Sequence, residues 1–323
     1  MKSFQFIETN GVQLRVAVDG SETGPLIVLA HGFPESWFSW RHQIPVLAEA
    51  GYRVAAPDIR GYGGSDQPAD IAAYAIKEMT ADMAGLVDEL SPDDPAIIIG
   101  HDWGAPIAWN AALLHPDHFR AVAGMAIPHA PMGDQTILDV TKKHFIDKNL
   151  FFYLHYFQEP GRAEAEFEAD TAQAIHNFYF AWSGDAPDDF FRAKPADAKM
   201  FEQVGEIPDK MGDWFPPAVE AYYVSEFERA GWSGALNRYR NFERDHAMLT
   251  SLDSQVIDQP SMFMIGSRDT AMIMFPGDLE TRLKAGLSDL RSVHILEGCG
   301  HWVQQERPDE TNRLLLDWLA EIA

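Results

Sequence analysis

The stretch "AIIIGHDWGAPIAW", residues 96–109, decides how the chain is read. Its apolar opening, 96–99, reads as a buried strand, and from Gly104 the pattern becomes helical. Gly100 and Gly104 stand two positions either side of Asp102. A strand-to-helix turn this sharp needs small residues there, because the middle residue is held strained and exposed. Such an elbow usually presents a Ser or Cys nucleophile. Here it presents a carboxylate.

That change selects the chemistry. A Ser that attacks acyl carbon forms an ester that water can cleave, but on saturated carbon it would form an inert ether. An Asp that attacks saturated carbon forms an ester, which an activated water can open. Asp102 therefore points to an sp³ electrophile such as an epoxide or an alkyl halide. Its ordinary alternative role is to cap the following helix.

The flanking sequence alternates strands and helices. "FQFIET" and "VQLRVAVDG" predict a hairpin joined at Asn10-Gly11. Strands are expected at 25–32, 52–58, 96–99 and 120–128, with helices at 40–51, 76–90 and after Asp102. From about 130 to 250 the chain is aromatic and helical in spacing, as in "KKHFIDKNLFFYLHYF" and "RAEAEFEADTAQAIHNFYFAW", without convincing strands. Strands at 261–267 and 292–298, a helix near 276–286 and a final helix in "RPDETNRLLLDWLAEI" then restore the α/β rhythm. The pattern predicts a mainly parallel sheet covered on both faces. Its domains are a core of 1–130 and 250–323, interrupted by a helical cap of 131–249.

The 323 residues carry a net charge of −24, which argues against nucleic acid or anionic membranes as partners. One cysteine, Cys299, excludes an internal disulfide. The polar start "MKSFQFIETNG" does not read as a signal peptide, and no run reaches the roughly 18 apolar residues of a membrane span. A cytoplasmic protein is expected.

Cleaving an ester on Asp102 requires a base and a group to orient it. "LEGCGHWVQQERP" puts His301, one of twelve histidines, just past the last strand, where α/β sheets gather their sites. "MFMIGSRDT" puts Asp269 at the matching end of the preceding strand, with Asp253, Asp258 and Asp278 as nearby alternatives. The order nucleophile, acid, histidine is that of α/β-hydrolases. The backbone N–H groups of Phe33, in "LAHGFPESW", and of Trp103 are expected to form the oxyanion hole. The sequence leaves the isomer of the bond before Pro34 open.

His31-Gly32-Phe33-Pro34, Gly100-His101-Asp102-Trp103-Gly104 and Gly298-Cys299-Gly300-His301-Trp302 together resemble the α/β-hydrolase-fold epoxide hydrolases of the soluble or microsomal type. The resemblance spans nearly the whole chain. It implies an eight-stranded sheet with the cap inserted after the sixth strand, and two cap tyrosines as acids toward the epoxide oxygen. "FFYLHYFQEPG" matches the first tyrosine segment through Tyr153, and "GALNRYRNFE" matches the second through Tyr239. Tyr156, Tyr179, Tyr222 and Tyr223 also lie in the insertion. Phe33, Trp103, Tyr153 and Tyr239 are the expected substrate-binding residues. The substrate is a small, apolar epoxide, with no metal or organic cofactor, and the protein is a monomer or homodimer. Haloalkane and haloacid dehalogenases share the Asp nucleophile and the His base. A non-catalytic ligand receptor on the same fold is the alternative of another class.

Overall fold

Two residues with positive φ, Asn10 at 44° and Gly11 at 75°, make the tight turn that joins β1 (Ser3–Thr9) to β2 (Val12–Gly20). Asn-Gly is suited to this turn because both positions tolerate the left-handed region. In the computed structural model, residues 3–274 and 277–323 are described. The remaining strands are β3 (Leu26–Ala30), β4 (Arg53–Pro57), β5 (Ala96–His101), β6 (Phe119–Met125), β7 (Ser261–Gly266) and β8 (Leu290–Leu296). They form one eight-stranded sheet in the order β1-β2-β4-β3-β5-β6-β7-β8. The pairs β1–β2 and β2–β4 are antiparallel and all the others are parallel.

The central strands are apolar throughout because both faces are covered. Every residue of β3, β5 and β7 is buried. Side chains alternate between the faces: Val28 and Ile98 join the core that contains Trp103 and Trp109, while Ile97 and Ile99 join the one that contains Trp37 and Trp40. From β3 the chain moves to β4 on one side and later returns to β5 on the other. This reversal opens a crevice at the carboxyl ends of β3 and β5, the place where open α/β sheets collect ligands.

Between β6 and β7 the regular elements are helices, but residues 183–216 form none and run as turns and loops, with isolated bridges such as Leu150↔Pro195 and Phe191↔Val204. Two long helical expectations are broken here. The segment 142–157 falls into helices Ile137–His144 and Tyr153–Tyr156, separated where Asn149 turns left-handed at φ 56°. The segment 162–182 divides into Arg162–Ala169 and Thr171–Ala181 at Asp170, whose carboxylate accepts the Gln173 N–H and starts the second helix. The helix expected near 276–286 runs over Leu279–Lys284, and position 276 itself lies outside the described residues.

The elbow leaves no room for a side chain at its glycines. A Cβ on Gly104 would stand 2.0 Å from the Ala30 carbonyl oxygen, whereas one on Gly133 would meet nothing within 4 Å. Gly104→Ala is expected to destabilise the fold by about 1–3 kcal/mol, the usual range for overpacking. Gly133→Ala should be near neutral. Urea denaturation of both variants measures the contrast.

Candidate active site

Four loops at the carboxyl end of the sheet bring the predicted residues together. Asp102 follows β5 with φ 49°, a strained value for a residue other than glycine. Phe33 follows β3 and is joined to Pro34 by a cis peptide bond. Gly32 lets the two loops touch, since a Cβ there would fall 2.4 Å from the Asp102 Cβ. The Phe33 N–H donates to Asp102 Oδ1 at 2.7 Å. Trp103 is the N-cap residue of helix Gly104–Leu114, where an N–H has no intrahelical acceptor.

His301, beyond β8, places Nε2 3.3 Å from Asp102 Oδ2 and Nδ1 2.9 Å from Asp269 Oδ2. Asp269 is buried, and its other oxygen accepts the Ala271 N–H at 2.8 Å. Of the alternative carboxylates, Asp278 caps helix Leu279–Lys284 and Asp258 accepts from the Ser288 hydroxyl. The carboxylate that meets His301 from the preceding strand is Asp269.

Electrostatics follow from these contacts. Burial alone would raise the Asp102 pKa, but the hydrogen bond from His301, the charges of His301 and His101, and the Phe33 N–H bring it below the usual 3.8. Burial alone would lower that of His301. The charge of Asp269, hydrogen bonds to both carboxylates and the charge of Asp102 instead raise it well above 6.5. Two carboxylates on either side of the ring thus favour its protonated form.

Above Asp102, Tyr153 and Tyr239 stand with ring centroids 6.3 Å apart. Two cavities of about 450 Å³ each share Asp102, Tyr153 and Tyr239 in their walls. One is strongly aromatic, with Phe33, Phe152, Phe178 and Trp182 among its lining, and also reaches His301. The other passes Trp109, His129 and Phe242. Burial, and then the Asp102 charge, raise both phenols well above 10, so each keeps its proton at neutral pH. The other four tyrosines are engaged elsewhere. Tyr156 donates to Glu166, Tyr179 to the Pro34 carbonyl and Tyr223 to Gln305, while Tyr222 accepts from Trp37.

A buried network behind the nucleophile was not read from the sequence. Glu35 Oε2 accepts the Gly32 N–H and faces His101 Nδ1, each at 2.8 Å. Its Oε1 accepts from Gln304 at 3.1 Å and Gln305 at 2.9 Å. The His301 carbonyl, 2.8 Å from His101 Nε2, can only accept, so that nitrogen carries the hydrogen. His101 and Glu35 both lie inside quoted motifs, but nothing in their spacing pairs them.

The chain matches the α/β hydrolase fold family over residues 25–308. It is 40% identical to epoxide hydrolase A of Mycobacterium tuberculosis, over 98% of this chain and 96% of the relative. The chain belongs to the α/β-hydrolase-fold epoxide hydrolases. Among solved structures, epoxide hydrolase A from Mycobacterium thermoresistibile superposes with a TM-score of 0.91 at 42% identity, covering 99% of this chain and 98% of the other. An epoxide hydrolase from an endophytic Streptomyces gives 0.91 at 43% identity, covering 99% and 95%. Like these relatives by family, this epoxide hydrolase has the eight-stranded, mainly parallel sheet expected of its fold.

The pKa directions give a direct measurement. Nitrogen NMR of ring-labelled protein should find His301 doubly protonated at neutral pH. Asp102→Asn removes one of its two anions and should lower its pKa. A neutral His301 ring in the unaltered protein at neutral pH would contradict this account of the site.

Proposed function

We propose that the protein hydrolyses small, apolar epoxides to vicinal diols through an ester on Asp102. The observation that carries this reading is the pair of phenols, Tyr153 and Tyr239, facing the elbow carboxylate across a shared cavity. A departing halide needs no O–H acid. An opening epoxide becomes an alkoxide, far more basic than a phenol's unperturbed value of about 10. The tyrosine pair thus favours the epoxide over the alkyl halide.

In the first step Asp102 Oδ2 attacks one epoxide carbon, while Oδ1 stays on the Phe33 N–H and becomes the carbonyl oxygen of the ester. The carbon–oxygen bond of the ring breaks, and its oxygen takes a proton from one tyrosine. Charge leaves Asp102 as it builds on the epoxide oxygen. One cause of the raised phenol pKa values therefore fades while the proton is needed.

Esterification also removes an anion from beside His301, which lowers its proton affinity; the imidazolium proton is given up, in net to the tyrosinate left by ring opening, and the neutral ring becomes a base. His301 then takes a proton from water as the water oxygen attacks the ester carbonyl carbon. The Phe33 and Trp103 N–H groups hold the oxyanion on Oδ1. The intermediate collapses with cleavage of the bond between acyl carbon and Oδ2, and the departing oxygen takes the proton of the added hydroxyl. The diol leaves with the former Oδ2, and the carboxylate keeps the water's oxygen. Asp269 orients the imidazole and stabilises its charge. In this reading the core is 1–130 and 250–323, the cap is 131–249, and the protein is a cytoplasmic monomer or homodimer. Among the described residues no helix is long and apolar enough to cross a membrane.

Two experiments bear on separate halves of the mechanism. Tyr153→Phe or Tyr239→Phe should slow alkylation, up to the roughly 10²–10⁴-fold contributed by a general acid. The folded double variant should be nearly inactive on styrene oxide. Full turnover by the double variant would remove the tyrosines from the mechanism.

His301→Gln should stop after at most about one equivalent of diol per site, with the ester accumulating on Asp102. Intact mass spectrometry should show a gain equal to the substrate, mapped to Asp102. In unaltered enzyme the alkylation rate should hold as pH falls to the ordinary carboxylate range near 4, because the Asp102 pKa is lowered. Ester hydrolysis, which needs neutral His301, should slow as pH falls. Rapid-quench measurements across pH separate the two, and parallel profiles would contradict the assignment.

A further inference from the structure

Arg238 adjoins Tyr239 in sequence and is almost wholly buried, at 3% exposure. Its guanidinium carbon lies 4.3 Å from the centroid of the Trp103 indole. Nη1 donates to the Tyr74 carbonyl at 3.0 Å and Nη2 to Asp245 Oδ2 at 2.5 Å. Asp245 is itself buried, and its Oδ1 accepts the Ile76 N–H at 2.8 Å, at the start of helix Ile76–Leu90. The cation is thus tied to the core through two backbone groups while it belongs to the tyrosine segment of the insertion.

Arg238 Nε, also buried, meets no acceptor among the described residues. The arginine keeps its face over the indole although this leaves one donor unmet. A planar guanidinium suits such a stack and an ammonium does not. The indole also packs against Tyr239, with centroids 5.0 Å apart and planes at 86°. The Trp103 side chain favours the ionised phenol and so opposes the upward pull of burial and of Asp102 on Tyr239.

We propose that Arg238 is a positioning residue for epoxide opening: by stacking on Trp103 while bound to Asp245 and Tyr74, it holds the indole against Tyr239 and keeps that phenol aimed at the epoxide oxygen. The inference rests on the reading of Tyr239 as an acid. Arg238 lines the cavity that also passes Trp109 and Phe242, but in this role it acts through the Trp103 indole and not on the reacting atoms. It acts on alkylation alone, because ester hydrolysis draws on His301, Asp269 and backbone N–H groups.

The test measures alkylation and ester hydrolysis separately, by acid quench and mass spectrometry with excess enzyme over styrene oxide. Removing the arginine alone would strand the buried Asp245 charge, so Arg238→Met is combined with Asp245→Asn. Arg238→Lys retains a cation for Asp245 but not the planar stack, and serves as the second, more conservative variant. Both should slow alkylation, on the order of tenfold for loss of a desolvated cation–indole contact and the aim it fixes. Both should leave ester hydrolysis within about twofold of the parent, by the same rate arithmetic. In a Tyr239→Phe background neither should slow alkylation further, because the phenol they position is gone. Unchanged alkylation, equal slowing of both steps, or the same slowing without the Tyr239 hydroxyl would each overturn the inference. If Tyr239→Phe alone leaves alkylation intact, the acid reading of Tyr239 fails first and the inference fails with it.

Discussion

The backbone at Asp102 is the constraint on which the site depends. A φ of 49° in a residue other than glycine persists only when its surroundings over-determine it. Here they do so by close approach on three sides. A Cβ at Gly100 would lie 1.9 Å from the Gly104 carbonyl oxygen, one at Gly104 would strike Ala30, and one at Gly32 would strike Asp102 itself. Asp102 also donates its N–H to the Met125 carbonyl at 3.2 Å and accepts from Ala105 at 3.0 Å, which ties the turn to β6 and to the next helix. The positive end of that helix then adjoins the carboxylate and favours its charge.

A fixed carboxylate is of use only if the base and the oxyanion donors keep their distance from it. The Glu35–His101 network links these two loops from behind. Glu35 holds the Gly32 N–H, one residue before the Phe33 donor, and His101 holds the backbone carbonyl of His301. A shift of either loop would break a buried polar contact, which costs far more than a solvent-exposed one. The oxyanion loop and the base loop are therefore coupled through one carboxylate and one imidazole. In the proposed mechanism the reacting charge meanwhile moves outward, from Asp102 to the epoxide oxygen and back to Oδ1, between groups that are already in position.

Local chemistry made much of this legible in the sequence. Asn10-Gly11, the apolar runs of β3, β5 and β7, and the glycines around Asp102 all act within a few residues, and each produced the expected element. The helices of the insertion were harder. Spacing alone ran through Asp170, although a carboxylate that can cap a new helix is also a reason for the old one to stop. The choice of Asp269 over Asp258 or Asp278 was open, because a loop aspartate is assigned by what it faces. Glu35 and His101 are 66 residues apart, and His101 and His301 are 200 apart. Such partners are joined only by the topology of the sheet. Tyr153 and Tyr239 were found through the family's segments, since nothing in their spacing separates them from Tyr156 or Tyr223.

The insertion must also hold two phenols over a carboxylate that belongs to the sheet. Its aromatic packing provides affinity for that surface but little register, because apolar contacts are non-directional. Directional contacts are distributed around the rim. Arg15 in β2 pairs with Glu226, Asn241 donates to the Ile71 carbonyl at 2.7 Å, and Asp245 accepts from Ile76. On the side of the base, Glu306 Oε2 accepts both the Gly184 and Gly300 N–H groups at 2.9 Å, and the His301 N–H donates to the Trp182 carbonyl at 2.8 Å. Buried ionic contacts add little net stability over a well-packed apolar alternative, so their value here lies in geometry. Of these ties, those through Glu306 and Trp182 also fix the loop of His301, whereas that of Asp245 does not. The proposed acid, nucleophile and base are thereby referred to one frame, and a displacement of the insertion on the Glu306 side would disturb both half-reactions rather than alkylation alone.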